Sequence, residues 1–108
     1  MEQFAGKRIQ VVDDQESVAT ANDAKTGTTT DSWSSEIVFD ALCFEVEVYS
    51  FTNSLEIVLV NDAGDDQGPL TVPKNGFRSW EFRARGFKIK SKVAGSAADY
   101  EVVAYFKN

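Results

Sequence analysis

The chain has 108 residues, enough for one domain with a real though modest core. Its 43% hydrophobic and 12% aromatic content excludes wholesale disorder, and no apolar run approaches the roughly 18 residues of a membrane helix. A formal charge of -6 argues against generic binding to nucleic acid or anionic membrane. That charge is unevenly spread. Lys74, Arg78, Arg83, Arg85, Lys88, Lys90 and Lys92 crowd one short stretch, opposed there only by Glu81, while the rest is strongly acidic. Such a split serves either pairing between strands of one copy or complementary surfaces between copies. The start, Met1-Glu2-Gln3-Phe4-Ala5-Gly6-Lys7-Arg8, lacks the basic and apolar regions of a signal peptide. The single cysteine, Cys43, opens an apolar run and reads as a small buried hydrophobe of a chain made in a reducing cytoplasm.

In chain order, residues 1–6 read as a terminal arm and Lys7–Asp14 as a first strand with Ile9 and Val11 on one face. Gln15–Ser32 has few large apolar residues and no clear period, so it reads as a long loop or arm. A short helix over Glu16–Ala24 competes weakly there, whereas Thr28-Thr29-Thr30 favours extended backbone. Trp33–Asp40 reads as a strand with Trp33, Ile37 and Phe39 on one face. Cys43–Phe51 alternates cleanly, with Phe44, Val46 and Val48 inward and Glu45 and Glu47 outward. After turn chemistry at Thr52-Asn53-Ser54, Leu55–Asp62 reads as its hairpin partner. Asn61–Pro69 is a polar loop, Leu70–Val72 a short strand, and Pro73–Gly76 a turn. Phe77–Ala84 is a strand with Trp80 and Phe82 on one parity, and Gly86 marks a bulge or tight bend.

The last quarter carries the strongest pattern. Phe87, Ile89 and Val93 fall on one parity and Lys88, Lys90 and Lys92 on the other. Ala94-Gly95-Ser96-Ala97-Ala98 then supplies a turn, and Tyr100–Phe106 is apolar on both parities apart from Glu101, as in a strand covered on both faces. The two strands read as a hairpin. If the lysines neighbour Glu45 and Glu47 they form cross-strand pairs; if they lie on an edge they block unwanted strand pairing. The whole predicts an all-β domain over residues 1–108, an antiparallel, jelly-roll-like β-sandwich or small barrel of about seven to eight strands, with an arm or long loop at 15–32.

The run R-G-F-K-I-K-S-K-V-A-G-S-A-A-D-Y-E-V-V-A-Y-F, Arg85–Phe106, resembles the C-terminal end of small β-rich virion proteins of tailed bacteriophages, of the capsid-decoration, head-fibre or tail-associated kind. The resemblance implies a structural role in a particle and transfers no catalytic residue. It also implies a homo-oligomer, a trimer for instance, bound to a major capsid or tail protein, with the virion as its location after synthesis in the host cytoplasm.

Chemistry is sparse. Without histidine there is no Ser-His-Asp or Cys-His arrangement and no histidine-based zinc site. Asn61-Asp62-Ala63-Gly64-Asp65-Asp66 and Asp13-Asp14-Gln15-Glu16 are oxygen-rich, yet neither has the spacing of an EF-hand, and a solvated acidic turn is the plainer reading of each. The glycines are dispersed turn residues with no phosphate loop among them. No cofactor, metal or catalytic residue is expected, and the chain reads as a non-enzyme. Alternation places Trp80, Phe82 and Phe87 opposite the lysines, which argues against a nucleic-acid platform. The expected interaction surface is Arg83, Arg85, Lys88, Lys90 and Lys92 with Glu45 and Glu47. A carbohydrate-binding or host-recognition module, with Trp33, Tyr49 and Trp80 stacking on sugars, is the second reading. A small carboxylate-dependent hydrolase is the third, resting on composition alone.

Overall fold

Eight strands in two separate four-stranded sheets make the described part of the chain, residues 21–107 of a computed structural model. The strands are β1 (Ala21–Thr29), β2 (Ile37–Val38), β3 (Glu45–Ser50), β4 (Leu55–Asn61), β5 (Asp66–Val72), β6 (Phe77–Glu81), β7 (Ala84–Ser91) and β8 (Ala98–Phe106). Sheet A runs β1-β8-β3-β6 and sheet B runs β2-β7-β4-β5, with every pairing antiparallel. There is no helix among the described residues, and the sheets do not close into a barrel. The architecture is a β-sandwich.

Alternation explains the core. Val46 and Val48 of β3, Leu55, Ile57 and Leu59 of β4, Phe87 and Ile89 of β7, and Tyr100, Val102 and Phe106 of β8 all turn inward. Phe87 sits between Phe39 and Tyr100, with ring centroids 5.4 and 6.2 Å away. Edge-to-face and tilted ring pairs of this kind add to the burial itself.

Connectivity departs from the hairpins expected from the sequence. The chain changes sheets at every step except β4 to β5, which is a true hairpin. Cys43–Asp62 is therefore no hairpin: β3 lies in sheet A and β4 in sheet B. The same holds for Arg83–Phe106, whose Ala94–Ala97 turn carries the chain from β7 in sheet B to β8 in sheet A. A short polar turn between alternating strands serves an arch across the core as well as a hairpin, because both arrangements bury the same parity. Val93, past the end of β7, is 41% exposed and does not join Phe87 and Ile89.

Other boundaries move as well. The segment expected as a loop contains β1, paired with β8 from Ala21↔Phe106 to Thr29↔Ala98, so Ala21–Ala24 is strand and not helix. Its small polar residues suit an edge strand, where half the side chains face water. Inward-pointing Asp23 and Lys25, 3.2 Å apart, guard that edge against pairing with a stranger. Of Trp33–Asp40 only Ile37–Val38 is strand; Phe39 is buried while Trp33 is 41% exposed. β5 begins at Asp66, within the expected loop, because an edge tolerates Gly68 and Pro69 beside the irregular register at Ile57/Leu59. β6 stops at Glu81, and Ala84 already belongs to β7.

Gly86 does mark an irregularity, opposite the register shift at Val60/Asn61, and a Cβ there would meet the Ile37 carbonyl oxygen at 2.5 Å. β8 is central but open on one side: Asp99, Glu101 and Tyr105 are only half-buried on its outer parity, and Val103 alone is closed off. The strand read at Lys7–Asp14, with the arm at 1–6 and residues 15–20, lies outside the described residues.

Candidate functional site

Arg85, Lys88 and Lys90 project from β7, an inner strand of sheet B, with Arg83 and Lys92 just beyond its two ends, so they neither guard an edge nor face Glu45 and Glu47 on sheet A. Their partners come from neighbouring segments of the same sheet. Lys90 lies across from Glu56 in register and meets it at 3.4 Å, while Lys88 reaches Asp66 of β5 at 3.2 Å. Lys92 donates to the Thr71 hydroxyl at 3.4 Å. Arg85 forks onto Glu36 through Nε at 2.9 Å and a terminal nitrogen at 3.0 Å. The hydrogen bond from Arg85 lowers the Glu36 pKa, and Glu36 in turn raises that of Arg85. Arg83 is exposed, and among the described residues no carboxylate pairs with it or with Lys74, Arg78 or Lys92. The acidic partner of the lysine ladder was legible as Glu56, the one charge on the outward parity of β4.

Sheet A presents a different surface. Glu45 and Glu47 of β3 share its outer face with Glu81 of β6 and Asp99 and Glu101 of β8, as the register requires. Tyr105 and Tyr49 both donate to Glu47 Oε1, at 2.7 and 3.2 Å. Tyr49 stacks on Phe77, with centroids 5.4 Å apart and ring planes at 22°. Phe77 is 49% exposed, and Phe51, two residues beyond Tyr49, is 51% exposed. An aromatic corner rimmed by carboxylates results. Its signal was present in the sequence, since Phe77 has the opposite parity to Trp80 and Phe82, and Tyr49 the opposite parity to Val46 and Val48.

Burial raises the pKa of Tyr105 and of Tyr49, and their contacts with Glu47 raise both further. A phenol that ionises above its unfolded value of about 10 keeps its proton in the fold after the unfolded chain has lost it. The folded state then binds more protons, so stability is constant below that pH and falls as pH rises beyond it. Urea midpoints should drop above about pH 10. Tyr105→Phe should flatten that drop; an unchanged slope would mean that Tyr105 is fully solvated.

The three aromatics singled out for sugar stacking do not form one platform. Tyr49 is on the outer face of sheet A. Trp80 is half-buried beside Leu59, Leu70 and Phe82, on the side of the sandwich where edges β5 and β6 meet. Trp33 stands over sheet B, with Lys90 Nζ 5.3 Å from its ring centroid. In the acidic 61–65 turn, Asn61 Oδ1 accepts from the Ala63 and Asp65 amides at 3.0 and 2.8 Å, which engages the amide oxygen with backbone. Among the described residues no group of three or more His, Cys, Asp or Glu side chains could hold a metal ion.

No protein-family model matches the sequence, and neither does any curated protein. Among solved structures the chain is similar to one from work describing Bacillus endospore appendages as a novel family of disulfide-linked pili, with a TM-score of 0.51 and 13% identity over 82% of this chain and 87% of that one. It also resembles the SPBc2 prophage-derived protein YomS, with a TM-score of 0.44 and 16% identity over 82% of this chain and 97% of that one. The second likeness is too distant to add to the first. At 13% identity the first is a likeness of fold, an all-β sandwich of two antiparallel sheets.

Proposed function

We propose that this protein is a non-enzymatic structural subunit of a phage particle, associating with its own copies and with a capsid or tail protein through the outer face of sheet A. The observation that carries this reading is the aromatic corner of Tyr49, Phe51 and Phe77. Large aromatics rimmed by polar groups, on a rigid sheet, are the usual anchors of protein interfaces. The C-terminal resemblance to virion proteins supports the particle, and the shared fold with an appendage protein is compatible with an assembled one. A disulfide link like that of the pili would need another device here, because the chain's one cysteine, Cys43, is buried to 1% exposure.

Charge complements the aromatics. Lys74, Arg78, Arg83 and Lys92 have no carboxylate partner among the described residues and are available to the acidic face of a neighbouring copy. Unlike surfaces meeting in this way give rings or filaments rather than closed twofold dimers. Light scattering across a concentration and salt series should show a mass above the monomer. Phe51→Ser with Phe77→Ser should return the chain to monomer with its urea midpoint nearly intact, since both rings are about half-exposed. Arg83→Glu with Lys92→Glu should weaken association chiefly at low salt. A monomer under every condition would sink self-association.

A further inference from the structure

A second surface lies on the opposite sheet. The segment from Thr30 to Glu36 is strapped onto β7: the Ser91 amide donates to the Thr30 carbonyl at 2.7 Å, the Ser34 amide to the Ile89 carbonyl at 3.0 Å, and the Ile89 amide to Ser34 Oγ at 3.1 Å. The Arg85 fork on Glu36 fixes its far end. Trp33 is thus a large, exposed aromatic on an anchored segment and not on a loose loop tip. Facing it across the outer side of sheet B is the Gly68–Pro69 lip of β5, and between them runs a groove of about 570 Å³ over Val58 and Lys88. That volume falls within the ~300–1,000 Å³ of small-ligand sites.

The lining decides the ligand class. Trp33, Val58 and Pro69 give apolar walls, while Ser35, Asp66 and Lys88 give hydroxyl, carboxylate and ammonium groups. Asp66 and Lys88 are 3.2 Å apart, so they offer acceptor and donor side by side while cancelling each other's charge. The neighbouring Lys90–Glu56 pair cancels likewise. A neutralised rim of this kind disfavours phosphate and polycations alike. It suits a neutral molecule with one apolar face and a rim of hydroxyls, and a pyranose has both. We infer that the Trp33 groove is a saccharide subsite, with the indole ring against the sugar's C–H face and the Asp66–Lys88 pair on adjacent hydroxyls. This function is additional to the assembly role of sheet A and lies on the other side of the sandwich.

Saturation-transfer NMR with the full chain and a panel of methyl glycosides of glucose, galactose, N-acetylglucosamine and rhamnose tests it. At least one glycoside should receive magnetisation through its ring protons. Trp33→Ala should abolish the transfer, Asp66→Asn should weaken binding about tenfold, and Trp80→Phe should leave it unchanged. Amide spectra of each variant separate loss of binding from loss of fold. No transfer to any glycoside, or transfer that survives Trp33→Ala in a folded protein, overturns the subsite.

Discussion

Phe87→Ala is expected to cost about 3–5 kcal/mol of folding stability, a large share of the ~5–15 kcal/mol available to a domain of this size. Phe87 is fully buried and touches both halves of the sandwich: Phe39 leads into β3, while Tyr100 reaches across from sheet A. Truncation removes the ring's transfer energy and leaves a cavity that two hydrogen-bonded sheets cannot close by collapsing. Phe87→Leu should cost less because it keeps most of the volume. Urea unfolding followed by tryptophan fluorescence would measure both, and a loss under about 1 kcal/mol for the alanine variant would contradict the position of the ring at the centre of the core. Phe77→Ala in the same assay should be close to neutral, which makes the two phenylalanines a matched test of inside against outside.

Deletion of residues 21–29 should abolish cooperative folding. Read as a loop, this stretch would be dispensable; as β1 it pairs at nine positions with β8. Backbone hydrogen bonds are worth roughly 1 kcal/mol net each, so losing this ladder is comparable to the whole stability of the domain. It would also bare one side of β8, whose Tyr100, Val102 and Ala104 belong to the core. The Thr29 hydroxyl bond to the Ile89 carbonyl, 3.1 Å and buried, would go with it, and that bond ties sheet A to sheet B. Dispersed amide signals surviving the deletion would show that β1 is an accessory strand after all. The same deletion distinguishes an arm, which only assembly needs, from a structural edge.

Much of the local structure was readable from residue order. A period of two in Val46–Val48 and in Phe87–Lys90 put the right side chains inside, because successive strand residues face opposite sides whatever the strand pairs with. Phe44, ahead of β3, is only half-buried, and Cys43 joins the core instead. All-β architecture followed from turn chemistry at short intervals, and the outward parity of Tyr49 and Phe77 already held the aromatic corner. Pairing was not readable. A hairpin and an arch between sheets satisfy the same alternation, so only the packed structure could send β3 and β4, or β7 and β8, to opposite layers. Edge strands were hidden for a related reason. β1 and β5 carry polar residues, Gly and Pro because water and not protein lies along one side of them, and such composition reads as loop until a neighbour such as β8 or β4 is in place. The charge split was visible in the sequence, but who partners whom is a matter of register across strands distant in the chain. That is why Lys90 meets Glu56 and Lys88 meets Asp66, while Glu47 holds two tyrosines.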